Sequence, residues 1–161
     1  MENIPYSVSQ IKLRLTEQRF CEISDETFSG FPGAAVFLLL TDTPYGTSLL
    51  LVKRSNKVST HKGEICFPGG KKDNTDKSLL TTAYREIYEE IGVPKDAINL
   101  ICSFSPEVTR TGYVILPFVG HLLDGTVITP DMKEIEEVMY ITLENIIDPK
   151  KLFNHYDWET G

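Results

Sequence analysis

Residues 76–91 carry the pattern that most restricts the fold of this chain, because their apolar side chains recur at the spacing of an amphipathic helix. At about 100° per residue, one side of this helix is apolar and is formed by Leu80, Ala83, Tyr84, Ile87 and Ile91. Gly92 and Pro94 follow, and both residue types end helices. The sequence therefore predicts a helix that ends near residue 91 and packs one side against another layer.

Short apolar runs flank this helix and are typical of strands. Residues 34–41 and 48–53 surround a turn that contains Pro44 and Gly46, so they predict a pair of buried strands. Further strand-like segments lie at 64–67, 99–104, 113–122 and 137–141, and a short helix is expected at 143–147. For residues 7–18, a helix and a strand fit the apolar spacing equally well. Strands on both sides of a central helix predict an α+β or layered α/β/α domain.

The composition is that of one globular domain, since the chain has 161 residues, of which 41% are hydrophobic and 24% charged. The longest apolar run, residues 34–40, is far shorter than the roughly 20 residues of a membrane-spanning helix. A net charge of −7 disfavours binding to nucleic acid. Cys21, Cys66 and Cys102 form no C-x-x-C pair, which indicates buried, reduced thiols. Because the N-terminus also lacks the pattern of a secretory signal, we expect a cytoplasmic protein.

Three glutamates, Glu86, Glu89 and Glu90, lie together beside the apolar side of the helix. Like charges at this spacing destabilise a helix by roughly 0.2–0.5 kcal/mol per pair, and in the last turns they face the negative end of the helix dipole. Arg85 offsets only part of this repulsion. A divalent cation such as Mg²⁺ would offset the rest, because it prefers carboxylate oxygens; a solvated acidic surface is the alternative. The glycine pair at 69–70 fits either close approach to a ligand or a tight turn.

These residues belong to a longer pattern, in which Gly70 is followed by Asp76 and then by the run Arg85-Glu86-Ile87-Tyr88-Glu89-Glu90-Ile91-Gly92-Val93. The pattern resembles the Nudix box of the Nudix hydrolase superfamily, with Asp76 in place of a glutamate and one extra residue before Arg85. Both differences are similar to those of the coenzyme A pyrophosphatase branch. Residues 50–55 and 61–70 are similar to the second signature of that branch, although Val52 replaces a usual threonine and Ser59 a frequent arginine.

The resemblance implies a Nudix-like α/β/α sandwich with a mixed β-sheet, in a single domain over residues 1–161 that lacks a C-terminal helical segment usual in this branch. It also implies a diphosphohydrolase that releases 3′,5′-ADP and 4′-phosphopantetheine from coenzyme A. Two alternatives stay open. One is hydrolysis of another nucleoside diphosphate derivative, such as ADP-ribose or a nucleoside triphosphate. The other is a module that binds a nucleotide without cleaving it, which the presence of all three glutamates disfavours.

The resemblance also implies roles for individual residues. The expected ligands of Mg²⁺ or Mn²⁺ are Glu86, Glu89, Glu90 and Gly70. The expected catalytic residues are Glu86 as the first candidate base, Glu134 as the second, and Arg85, which would orient the glutamates with Asp76 as its partner. Substrate contacts are expected from Arg54, Ser55, His61, Lys62, Phe67 and Gly69.

Several of these residues have an ordinary structural alternative. His61 fits a surface or packing histidine as well as a substrate contact, and Phe67 is expected to pack against the sheet or to meet an adenine ring. Glu136 and Glu137, close to Glu134, are expected to be solvated charges on a strand edge. The expected partner is a small-molecule nucleotide. Neither nucleic acid nor a membrane is expected, and a homodimer stays open.

Overall fold

Two helical layers enclose a mixed β-sheet in the computed structural model, which describes residues 7–17, 31–58 and 61–147. In chain order the elements are α1 (Val8–Glu17), β1 (Gly33–Thr43), β2 (Gly46–Arg54), β3 (Ile65–Cys66), β4 (Gly69–Lys71), α2 (Leu79–Ile91), a 3₁₀ turn (Lys95–Ala97), β5 (Ile98–Ser103), β6 (Glu107–Val108), β7 (Val114–Leu122), β8 (Ile135–Thr142) and α3 (Leu143–Ile147). Cys21 and Ser59 lie outside the described residues.

β1 is the central strand of the sheet, whose order is β3-β2-β1-β7-β5, with β4 beside β1, β6 beside β7 and β8 beside β2. β1 is antiparallel to β2 and parallel to β7, so the sheet is mixed. Its first half pairs with β4, which places Gly70 opposite Ala35 and Gly69 opposite Val36. Its second half pairs with β2 on the same side. The glycine pair therefore belongs to a strand that is hydrogen-bonded to β1, rather than to a free loop.

Each face of the sheet is covered by its own apolar cluster. On one face, α2 packs Leu79, Ala83, Ile87 and Ile91 against side chains of the central strands such as Phe37. On the other face, α1 and α3 pack against a second cluster, through Val8, Ile11, Leu15, Leu143 and Ile146. Burial of these side chains is the main stabilising contribution, at roughly 1.5–3 kcal/mol for each fully buried large residue. The α/β/α sandwich implied by the resemblance is confirmed.

The apolar patterns predict the long elements well and the short ones poorly. Residues 7–18, for which helix and strand were both open, contain the helix α1. The central helix begins at Leu79 rather than near Asp76, because Ser78 accepts a hydrogen bond from Thr81 N–H and caps it. Strands β4 and β6 were not predicted. Within the described residues, no helix has the length and apolar character that crossing a membrane requires.

Candidate active site

Helix α2 positions the acidic side chains because its apolar side fixes its rotation on the sheet. Ala83, Ile87 and Ile91 are fully buried, and Glu86 and Glu90 lie beside them on the side of the helix that faces β4. A β-carbon at position 70 would lie 2.4 Å from Cδ of Glu86. The site therefore lies where α2 approaches the β4 edge of the sheet.

Glu90 is buried, with 1% of its side chain exposed. Its Oε2 accepts a hydrogen bond from Gly69 N–H at 2.9 Å, and its Oε1 accepts one from Arg54 Nη1 at 3.2 Å. Burial, and to a smaller extent the charges of Glu86 and Glu134, raises the pKa of Glu90 to about 7, although the bond from Gly69 and the charge of Arg54 oppose the rise. Both carboxylate oxygens thus have fixed partners, while nearby negative charge still destabilises the ionised form.

Arg85 joins the acidic residues of the Nudix-like pattern into one network. Its Nη1 donates to Glu86 Oε1 at 2.9 Å and to Glu89 Oε2 at 2.8 Å, and its Nη2 donates to Asp76 Oδ2 at 2.9 Å and to the carbonyl of Lys71 at 3.0 Å. The bond from Arg85 is the main cause that lowers the pKa of the buried Asp76 carboxyl to about 2. The bonds to the three carboxylates raise the pKa of Arg85 above its usual value. The expected partnership between Arg85 and Asp76 is present.

Two charges of its own sign act on Glu86. Burial is the main cause that raises the pKa of Glu86, and Glu89 and Glu134 raise it further, whereas Arg85 lowers it. Glu134, far away in sequence, is therefore close enough to act on both Glu86 and Glu90. Glu136 has partners outside this group of carboxylates: it accepts hydrogen bonds from Lys53 Nζ at 2.8 Å and from Asn56 Nδ2 at 3.3 Å.

The residues expected to contact substrate divide into two groups. Arg54 and Gly69 lie in the carboxylate cluster, through their bonds to Glu90. Ser55 is buried, and its N–H donates to the carbonyl of Glu134 at 2.7 Å.

The remaining three expected substrate contacts lie outside this cluster. His61 and Lys62 are on an exposed turn, where His61 Nδ1 bonds Glu64 Oε2 at 2.8 Å. Phe67 packs into the apolar cluster on the opposite face of the sheet from α2, in line with its expected packing role.

Two residues near the cluster were missed by the sequence analysis. Cys66 is half-buried beside Arg54 and Glu90, and burial raises the pKa of its thiol. Asp131 donates its N–H to the carbonyl of Glu90 at 3.0 Å. The only signal in the sequence is the pair Pro130-Asp131, which is typical of a turn but does not indicate what the turn contacts. Cys66 and Cys102 are free thiols, but both are only partly buried, so the prediction that they are buried is wrong.

A family model described as the NUDIX domain matches residues 31–159, a range that includes every residue of this cluster. The chain belongs to the Nudix hydrolase family. Among its curated relatives, an uncharacterised Nudix hydrolase NudL from Photorhabdus laumondii is 33% identical over 71% of this chain and 60% of its own. The peroxisomal coenzyme A diphosphatase NUDT7 from Mus musculus is 30% identical over 70% of this chain and 48% of its own. This Nudix chain thus spans about half the length of such relatives.

Solved Nudix structures share the fold. The Nudix hydrolase RenU from M. smegmatis superposes with a TM-score of 0.60 at 21% identity, over 78% of this chain and 81% of its own. The NUDIX domain of Shewanella oneidensis NrtR superposes with a TM-score of 0.57 at 19% identity, over the same shares of the two chains. At these identities the similarity establishes the fold.

Nudix hydrolases generally use divalent metal ions, and the chemistry of this cluster fits such an ion. Its donors are carboxylate oxygens, which hard cations prefer, and the charges of Glu86, Glu90 and Glu134 act on one another. In the described ranges, no three carboxylate, thiol or imidazole side chains already surround a common point where an ion could sit. Arg85 engages one oxygen each of Glu86 and Glu89, so a cation would share these carboxylates with it.

Proposed function

We propose that this Nudix chain hydrolyses the diphosphate linkage of coenzyme A or its derivatives, in a reaction that depends on a divalent cation and yields 3′,5′-ADP and 4′-phosphopantetheine. The observation that carries hydrolysis is the cluster of Glu86, Glu90 and Glu134, whose charges interact beside the Gly70 backbone. Support for coenzyme A comes from the two motifs and from the Mus musculus relative named as a coenzyme A diphosphatase.

Mg²⁺ or Mn²⁺ is the proposed cofactor, with Glu86, Glu89, Glu90 and the carbonyl of Gly70 as its ligands. When bound, such an ion stabilises negative charge on diphosphate oxygens and lowers the pKa of water. The partially buried position of Glu86 suits this role, because burial strengthens its interaction with a cation.

The proposed reaction transfers one proton to a carboxylate of the chain. The oxygen of a water molecule bonds to one phosphorus, the bond from that phosphorus to the bridging oxygen breaks, and two phosphomonoesters result. Glu86 is the first candidate for the base, since its raised pKa makes it a better proton acceptor near neutral pH. Glu134 is the second candidate. Arg85 positions Glu86 and Glu89 through its two bonds from Nη1.

Substrate contacts are proposed for Arg54, Ser55, His61, Lys62, Phe67 and Gly69. Arg54 and Gly69 already hold Glu90, so they would meet a phosphate group at the carboxylate cluster itself. His61 and Lys62 lie on the exposed turn that precedes β3 and would meet a more distant part of the substrate. The cytoplasmic location stays a prediction from the sequence, and so does a homodimer as one possible oligomeric state.

The test is turnover of coenzyme A, ADP-ribose and a nucleoside triphosphate with Mg²⁺ or Mn²⁺, with the products separated by chromatography. We expect metal-dependent release of 3′,5′-ADP from coenzyme A. Glu90→Gln should lower the rate by about 10- to 100-fold, the size typical of a lost interaction at a metal site. Glu136→Gln is the matched control, because Glu136 pairs with Lys53 outside the cluster.

The other outcomes separate the parts of the proposal. Cleavage of a different substrate, slowed by Glu90→Gln, would keep the hydrolase and overturn coenzyme A as its substrate. Tight nucleotide binding without any cleavage would contradict the hydrolase and favour a binding module.

A further inference from the structure

The loop that precedes β8, residues 129–134, is tied to the end of α2 by main-chain hydrogen bonds. Thr129 N–H donates to the carbonyl of Ile91 at 2.8 Å, and Asp131 N–H donates to the carbonyl of Glu90 at 3.0 Å. Carbonyls in the last turn of a helix have no partner within the helix, so this loop supplies partners for them. Its position is therefore fixed by the same helix that carries the acidic side chains.

Asp131 also closes the turn that leads to Glu134. Its carbonyl accepts from Glu134 N–H at 2.9 Å and from Ile135 N–H at 2.8 Å, and its Oδ1 accepts from Lys133 N–H at 3.0 Å. The carbonyl of Glu134 accepts from Ser55 N–H at 2.7 Å. Both main-chain polar groups of Glu134 are thus bonded, which restricts the direction in which its carboxylate leaves the loop.

We propose that Asp131 is a positioning residue that fixes where Glu134 lies relative to Glu86 and Glu90. The inference rests on the proposed function, in which Glu134 takes part in hydrolysis. The backbone of residue 131 is bonded to Glu90 on one side and to Glu134 on the other, and any residue type except proline would keep these main-chain bonds. The Asp131 side chain contributes an acceptor oxygen to the turn. An asparagine at this position can supply the same oxygen, whereas an alanine cannot.

The test is a double-mutant cycle of Asp131→Ala and Glu134→Gln, measured as kcat and KM for coenzyme A. We expect Asp131→Ala to lower kcat about tenfold with KM nearly unchanged, since small displacements of a catalytic group are costly. The double variant should be no slower than Glu134→Gln alone, because Asp131 acts through Glu134. Asp131→Asn should restore most of the activity. The inference would be overturned if the rate losses of the two single variants multiplied in the double variant, or if Asp131→Ala kept full activity.

A second readout does not depend on catalysis. Amide hydrogen exchange should become faster at Lys133, whose N–H loses its acceptor in Asp131→Ala, and at Glu134 and Ile135, which follow it in the loosened turn, while exchange in the middle of α2 is unchanged. Lys133→Ala, which keeps the main-chain N–H that Asp131 binds, is the matched control and should alter neither readout. If the wild-type chain cleaves no nucleotide, the proposed function fails, and unchanged exchange in Asp131→Ala would then overturn the positioning role as well.

Discussion

At the scale of single residues, the contact between Gly70 and Glu86 leaves no room for a side chain at position 70. A β-carbon there would lie 2.4 Å from Cδ of Glu86 and 2.5 Å from both of its carboxylate oxygens. These atoms are the end of a flexible side chain, so they can move at a modest cost in folding free energy. Glycine at position 70 therefore matters for where the carboxylate lies more than for stability.

Gly70→Ala should consequently reduce activity more than stability. We expect kcat/KM to fall about ten- to a hundredfold, the scale of a displacement near 1 Å, while the free energy of unfolding changes by about 1 kcal/mol or less. Gly125→Ala is the control, because Gly125 has a φ of +77° with nothing near its Cβ position. That variant should lose about 1–3 kcal/mol through backbone strain and keep full activity. Unimpaired turnover in Gly70→Ala would contradict the role of Glu86.

The choice between Glu134 and Glu136 shows what a sequence can predict about single residues. Both are glutamates on the same short segment, so composition and spacing alone do not separate them. The difference arises from the register with β2, which shifts between Lys53 and Arg54. Glu136 is the extra residue at this irregularity and binds Lys53. By contrast, Glu134 precedes β8, and its charge acts on Glu86 and Glu90. The family resemblance indicates Glu134, but the physical reason lies in a pairing that the sequence does not reveal.

At the scale of secondary structure, α2 is predictable because its apolar spacing is regular and a glycine ends it. Gly92 has a φ of +69°, and its N–H donates to the carbonyl of Tyr88 at 3.0 Å, as expected for a glycine after a helix. The start is less predictable, since Asp76 resembles a first-turn acidic residue but instead turns inward to bind Arg85. The helix begins instead after its N-cap, Ser78, whose side chain accepts from Thr81 N–H.

Strand β4 and the loop 129–134 have no comparable signal. β4 contains Gly69 and Gly70, which offer no apolar side chain from which to read a strand period, and it exists because it pairs with β1. The loop is held by main-chain bonds to α2. Because almost any residue type can make such bonds, the sequence does not indicate them. The parts of the site carried by the helix were therefore predictable, and those carried by the loop were not.

At the scale of the whole molecule, the sandwich places a buried carboxylate between α2 and the sheet, and this should make stability depend on pH. Burial raises the pKa of Glu90 in the folded chain to about 7, whereas an unfolded glutamate has a pKa of about 4.3. Between these values the folded chain binds more protons, so its stability falls as pH rises. The full effect is about 4 kcal/mol.

Urea unfolding between pH 4.5 and 8, in the presence of a chelator, measures this dependence. The wild-type chain should become less stable towards pH 7 and then level off, and Glu90→Gln should remove most of the decline. Glu136→Gln should leave the decline in place, because the carboxylate that it removes is on the surface. A wild-type profile as flat as that of Glu90→Gln would contradict the raised pKa.

The family fold accounts for the layers and the mixed sheet, and the structural neighbours share it. The single domain over residues 1–161 stays a prediction. What the fold achieves for function is to bring residues from β2, β4, α2 and the loop before β8 to one edge of the sheet. The function proposed for this cluster of carboxylates requires that it bind a divalent cation.

Calorimetric titration of Mn²⁺ tests that claim most directly, with the wild-type chain, Glu86→Gln, Glu90→Gln and Glu136→Gln compared at one pH. We expect saturable binding to the wild-type chain and unchanged binding in Glu136→Gln. In the two cluster variants, binding should be at least about tenfold weaker, the size typical of a lost interaction at a metal site. Equal Mn²⁺ affinity in all four proteins, or no binding to the wild-type chain, would contradict that claim.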